Sequence, residues 1–165
     1  MRFLKSFRYA ARGIIYCINN ERNMRVHTVV MLYVFVFSPF FELSRGQYAL
    51  LLVTMSSVLA AEMVNTACEG LSDLTMADYN PLARTIKDVA AGAVLICAIF
   101  AVCVGLCLFW RPEVFAHIFR WFAARWWAVV CLALSAVFAL VFIILGPVGI
   151  RDRLWLRKSG KKRGV

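Results

Sequence analysis

The sequence predicts an all-α integral membrane protein, and three observations carry that reading. The chain has 165 residues and is 62% hydrophobic, well above the roughly 45–50% of soluble domains. Its apolar residues gather into four uncharged runs, at 26–41, 46–61, 90–110 and 126–150. All of its Asp, Glu, Lys and Arg residues lie between or beyond those runs. A soluble fold of this length exposes too much of its surface to hide such an excess, so the bilayer is the solvent that fits.

The elements follow in chain order. Lys5, Arg8 and Arg12 fall on one helical face and Phe3, Phe7, Ala11, Ile14 and Ile18 on another, which predicts an N-terminal interfacial amphipathic helix. This segment lacks the compact apolar stretch and small-residue cleavage site of a signal peptide. A span needs about 20 residues, so the first run is expected to borrow 23–25, with the Arg25 side chain snorkelling toward water. The second run continues past Ala61 as Glu62-Met-Val-Asn65-Thr66-Ala-Cys-Glu69, with no Gly or Pro before Gly70. One helix is therefore expected to carry two carboxylates out of the apolar zone.

Residues 78–81 read as a turn in which Asn80 caps the next helix and Pro81 takes its first position. The third spanning helix runs to Trp110 and ends at Arg111-Pro112. Residues 113–125 mix Phe115, Ile118, Phe119, Trp121 and Phe122 with Arg120 and Arg125, which predicts a second interfacial helix. An extra C-terminal transmembrane helix and a basic tail follow.

Formal net charge is +10. The basic residues cluster at the ends of the apolar runs, which suits anionic headgroups rather than nucleic acid. Lys and Arg are dense in 1–25 and 151–165 and sparse in 42–47, so both termini and the 70–88 loop are expected on the cytoplasmic side of the cell membrane. The 111–125 loop is more basic than that topology prefers. The six cysteines form no C-x-x-C pair and read as small apolar packing residues.

The chemistry concentrates on one stripe. Glu62, Asn65, Thr66 and Glu69 lie at i, i+3, i+4 and i+7, with Asp73 one turn on. Ionisable groups at membrane depth are costly and point to function, although Asn65 and Thr66 also suit plain interhelical hydrogen bonding. Lys87 and Asp88 precede the third apolar run, and the small residues Ala90, Ala91, Gly92 and Ala93 are expected to let that helix close on the stripe, bringing Lys87 and Asp88 near Glu69. Glu21 sits at the same boundary. Two carboxylates with room between them suit magnesium, which takes oxygen ligands and substrate phosphates, and a third carboxylate can accept a proton from a hydroxyl. No soluble-kinase signature is present. The residues by themselves therefore indicate metal-assisted chemistry at the interface without fixing the reaction.

The stretch Glu62 to Glu69 resembles the E-x-x-N-[ST]-x-x-E signature of the prokaryotic diacylglycerol kinase family. Three other segments are similar to that family in the same order: Ser6-Phe7-Arg-Tyr9-Ala-Ala-Arg-Gly13, Asn20-Glu21 followed by Arg25, and Pro81-Leu-Ala-Arg84-Thr-Ile-Lys87-Asp88-Val-Ala-Ala-Gly92. The resemblance covers about residues 3–110. It implies a three-helix membrane kinase core in 1–110, assembled as a homotrimer with active sites shared between chains. It further implies ATP-dependent phosphorylation of a membrane lipid alcohol.

In this sequence the resemblance carries Glu62 and Asn65 as catalytic residues and Glu21 and Glu69 as ligands of Mg2+. Tyr9, Glu21, Glu69, Lys87 and Asp88 become nucleotide-binding residues. Asn65-Thr66, Pro81-Leu-Ala-Arg84 and the 90–93 run look more like the Gram-positive branch, which resembles undecaprenol kinases, so undecaprenol is favoured as substrate over diacylglycerol. Residues 111–165 depart from the family pattern, and their added helix is expected at the periphery, away from the motif. Two rival readings are a non-catalytic scaffold or degenerate family member, and a histidine-dependent lipid hydrolase using His27 or His117.

Overall fold

The computed structural model describes residues 2–75 and 81–161, with side chains over 4–74 and 81–151. Among the described residues, six α-helices and one short 3-10 turn follow in order: α1 (Arg2–Asn20), α2 (Arg22–Phe37), the 3-10 turn Ser38–Phe41, α3 (Arg45–Thr75), α4 (Pro81–Phe109), α5 (Pro112–Ala123) and α6 (Trp126–Lys161). There is no strand among the described residues. Four segments are long and apolar enough to cross a membrane: Arg22–Phe41, Arg45–Leu74, Pro81–Phe109 and Trp126–Arg151. Each corresponds to one of the four apolar runs, and α1 and α5 are the two expected amphipathic helices. Pro81 opens α4 as anticipated; Asp78, Tyr79 and Asn80 lie outside the described residues, as do the side chains of the basic tail after Arg151.

The chain forms two compact units, Val30–Arg125 and Met1–Val29 with Trp126–Val165. In the first, α3 and α4 run antiparallel and form the main helix pair. Their ends furthest from the polar stripe are closed by a core of Phe41, Leu43, Leu51 and Leu108, packed by Val34, Tyr48, Met55 and Val104. The 3-10 turn seats Phe41 edge-on against Phe109 and Phe115, with centroids 4.9 and 5.6 Å away. Such aromatic contacts add about 0.5–1.5 kcal/mol each beyond burial. Arg111 locks the same corner by donating from Nη1 to the Phe41 carbonyl at 2.9 Å.

The turn into α3 is built by a reciprocal cap. Ser44 N–H donates to Gln47 Oε1 at 2.8 Å, and Gln47 N–H donates to Ser44 Oγ at 3.3 Å. This capping box satisfies amides that the start of a helix leaves without partners. From there α3 runs 31 residues without interruption, so the apolar run and the carboxylates beyond it share one helix, as the unbroken periodicity requires. Most large apolar side chains of the spans face outward, among them Leu52, Val53, Leu95, Phe100, Leu134 and Phe138. An outward apolar surface is what a lipid-facing helix needs. Cys17 is buried, Cys68 and Cys97 are half-buried, and Cys103, Cys107 and Cys131 are exposed.

The second unit packs α1 and the first residues of α2 against α6. Cys17, Met24 and Ala128 are buried there. Within α6 the helix is broken at Gly146, whose backbone is non-helical (φ 64, ψ 169), directly before Pro147.

Arg25 corrects two expectations. It does not snorkel: it is 7% exposed, and its guanidinium donates to three backbone carbonyls, those of Ile143, Ile18 and Asn19. One of those carbonyls belongs to α6, so the added helix does touch the motif segment, at the residue that follows Asn20-Glu21. A planar guanidinium with five donors satisfies itself better among fixed carbonyls than by stretching its stem to water.

Candidate active site

The stripe on α3 is graded by depth. Glu62 is 2% exposed, Asn65 8% and Thr66 9%, whereas Glu69 is half-buried and Asp73 exposed. The helix thus changes from a buried polar face to a solvent-reachable one over three turns. Asn65 Nδ2 donates to Glu69 Oε1 at 2.8 Å, an i,i+4 bond that orients the carboxylate. Thr66 Oγ1 donates back to the Glu62 carbonyl at 3.0 Å, so the Thr66 hydroxyl is occupied in the helix rather than in the site. Asn65 Oδ1 is buried and accepts no hydrogen bond among the described residues. Leaving a buried amide oxygen unmatched costs about 1–3 kcal/mol, so this oxygen is a candidate contact for a bound ion, ligand or water. Ser72, also buried on α3, escaped the sequence reading because a serine between Leu71 and Asp73 carries no distinguishing signal.

Helices α3 and α4 do pair along their length, with Ala90 and Gly92 half-buried, but Gly92 itself is not in tight contact. A Cβ built on Gly92 would meet nothing within 4 Å, and Ala91 and Ala93 are exposed. The buried residue at this level is Val94. Lys87 reaches α3 one turn beyond Glu69, where its Nζ pairs with Asp73. Asp88 faces back along its own helix, 3.9 Å from the Arg84 guanidinium, with both side chains 73% exposed. Such an exposed i,i+4 pair is worth at most a few tenths of a kcal/mol, which leaves Asp88 available to a ligand.

Tyr9 and Glu21 belong to the other unit. Tyr9 is exposed on α1 with the guanidiniums of Arg8 and Arg12 each 5.9 Å from its ring centroid, an aromatic face flanked by two cations. Glu21 is the residue between α1 and α2. Its N–H donates to the Cys17 carbonyl at 2.7 Å, and its carbonyl accepts from the Arg25 N–H at 3.4 Å, so the chain bends at Glu21 without losing its ladder entirely.

Among the described residues no group of three His, Cys, Asp or Glu is gathered to hold a metal. The donor set is nevertheless of the right kind for magnesium. That ion is commonly bound through one or two carboxylates plus substrate phosphates, without an all-protein cage, and Glu69 is a half-buried carboxylate already fixed by an amide. His117 stacks near Phe40, with ring centroids 6.4 Å apart, among the aromatics of α5 and the 3-10 turn. That location is remote from the stripe and disfavours the hydrolase reading.

Four apolar helices, one of them carrying a buried carboxylate and amide toward its polar end, define a helical membrane protein. The chain belongs to the prokaryotic diacylglycerol kinase family, whose profile it matches over residues 8–109. It is 43% identical over 110 residues to a diacylglycerol kinase of Synechocystis, a match covering 66% of this chain and 63% of that one. It is 35% identical over 108 residues to an undecaprenol kinase of Bacillus subtilis, covering 66% and 88%, and 28% identical over 109 residues to a diacylglycerol kinase of Escherichia coli, covering 66% and 89%. The family and these relatives are lipid kinases, which places the chain in that class of enzyme. The match ends at residue 109, so α5 and α6 lie beyond the family profile.

Proposed function

We propose that this protein transfers the γ-phosphate of ATP to the primary hydroxyl of a long-chain membrane alcohol. The observation that carries the reading is the graded stripe on α3, with Glu62 buried, Asn65 bonded to Glu69, and Glu69 nearer the polar end. Glu62 acts as general base: it takes the proton as the lipid oxygen bonds to the γ-phosphorus and the bond to the bridging oxygen of ADP breaks. Glu69 and Glu21 are the carboxylates that would hold Mg2+, and Asn65 orients Glu69. Bound there, magnesium would neutralise charge on the phosphate oxygens. Tyr9, Lys87 and Asp88 contact the nucleotide.

The kinase core occupies 1–110, with 111–165 as an added interfacial helix, span and basic cytoplasmic tail. Four spans put both termini and the active site on the cytoplasmic side of the cell membrane. A homotrimer would supply shared sites, and the outward apolar faces of α3 and α4 leave room for such neighbours. Undecaprenol is the favoured acceptor on the Gram-positive character of residues 65–66, 81–84 and 90–93. The 43% identity to a protein named diacylglycerol kinase makes diacylglycerol the acceptor to set against it.

The experiment is transfer of labelled γ-phosphate to both lipids in the same micelles, with Glu62→Gln alongside the wild type. Glu62→Gln keeps shape and removes basicity, so turnover should fall about 10²–10⁴-fold. Wild-type turnover in Glu62→Gln would overturn the assignment of the base. Transfer to neither lipid would favour the non-catalytic scaffold.

A further inference from the structure

The added span α6 carries an interruption that costs energy and is used. Pro147 has no N–H, so the Ile143 carbonyl, four residues earlier, has lost its helical donor. Gly146 sits at φ 64, ψ 169, a region of backbone space essentially confined to glycine. Arg25 fills the gap: its Nε donates to the Ile143 carbonyl at 3.0 Å. The same guanidinium donates from Nη1 to the carbonyls of Ile18 at 3.2 Å and Asn19 at 3.0 Å. Those two carbonyls lie in the last turn of α1, where helical acceptors run out of partners.

One buried cation therefore ties together two interrupted helices. Both present it with the negative end of a helix dipole, α1 at its C-terminus and α6 where Gly146 ends its first part. The fit is tight, because a Cβ on Gly146 would lie 2.7 Å from Arg25 Nη1 and 3.5 Å from the Asn19 carbonyl oxygen. Between the two anchored carbonyls and Arg25 itself lies Glu21.

We propose that α6 is a positioning element for the Glu21 carboxylate, acting through Arg25 as the positioning residue and through the Gly146-Pro147 break as its receptor. The inference rests on the reading of Glu21 as a metal ligand. A carboxylate on a bend between two helices has no fixed direction unless the bend is fixed. Three carbonyl contacts from the residue four positions on hold it, and one of the three comes from a helix beyond the family match. The chain thus makes its metal site depend on its extra span.

The test measures Mn2+ binding by electron paramagnetic resonance in the presence of a non-hydrolysable ATP analogue, using the full chain in detergent, alongside the KM for lipid. Pro147→Ala offers the Ile143 carbonyl a helical N–H that competes with Arg25 and lets the break close. Arg25→Lys keeps the charge and loses the fork, and Glu21→Ala is the reference. Groups that orient a metal ligand typically contribute 10–100-fold in metal affinity. We expect Pro147→Ala and Arg25→Lys each to weaken Mn2+ binding about 10-fold, with the lipid KM within about twofold of wild type. If Glu21→Ala weakens binding while both others bind as wild type, the role of α6 is overturned and the kinase reading stands. If Glu21→Ala itself binds as wild type, Glu21 is not a ligand and the proposal falls with that assignment. Equal losses in metal affinity and lipid KM would mean a general structural defect and would also overturn it.

Discussion

Replacing Asn65 by alanine tests how the site on α3 is organised. The Asn65 Nδ2 to Glu69 Oε1 bond is 2.8 Å long, and its donor residue is 8% exposed. Hydrogen bonds to a charged acceptor contribute about 1.5–3 kcal/mol when shielded. At 1.4 kcal/mol per factor of ten, losing that orientation should raise the magnesium concentration for half-maximal rate about 10- to 100-fold. The effect should sit toward the lower end, because Glu69 is only half-buried and water can replace part of the donor. Alanine also removes the unmatched Asn65 Oδ1, which works in favour of stability, so thermal unfolding in detergent should change little while the metal requirement moves. Initial rates with labelled ATP across a magnesium titration measure the shift. A half-saturating magnesium concentration within twofold of wild type, in a folded Asn65→Ala protein, would refute the claim that Asn65 orients Glu69.

Asp73→Asn should lower thermal stability by no more than about 1 kcal/mol, because its pair with Lys87 is partly solvated, at 38% and 68% exposure; a larger drop in detergent melting would refute the reading of that pair as peripheral. A reporter that is active only outside the membrane, fused after Val165, should be silent, since four spans return the chain to the side on which it starts; an active fusion would contradict the cytoplasmic placement of both ends.

What could be read from the sequence divides by the range of the interaction involved. The four spans and two interfacial helices follow from apolar run length and helical period, which are local. The continuous α3 helix from Arg45 to Thr75 was legible because nothing in it breaks a helix. The stripe from Glu62 to Glu69 was legible because spacing alone puts residues on one face.

Arg25 was misread because its partners include a carbonyl 118 residues away, and no local pattern reports such a distance. The Gly146-Pro147 dipeptide did announce a break in the fourth run, and a carbonyl freed inside a membrane is a request for a donor. Ser44-x-x-Gln47 was likewise a readable cap signature. The small residues at 90–93 permit close packing without requiring it, and Gly92 makes no tight contact.

The depth gradient on α3 bears on how two unlike substrates meet. ATP arrives from water and the lipid hydroxyl from the bilayer, so the enzyme must hold one reacting atom on each side of a polarity boundary. Glu62 and Glu69 are seven residues apart, which at 1.5 Å of rise per residue separates their backbones by about 10 Å. On the proposed reading Glu62 is the base, and at 2% exposure it is shielded from bulk water. Glu69, the proposed metal carboxylate, lies about two turns nearer the polar end and is only half-buried, open to a hydrated nucleotide. If the base stood at the level of Asp73, water would reach it as readily as lipid, and hydrolysis of ATP would compete with transfer. On the proposed reading, the ordering of Glu62, Asn65 and Glu69 along one continuous helix is therefore what makes the chain a lipid kinase rather than an ATPase.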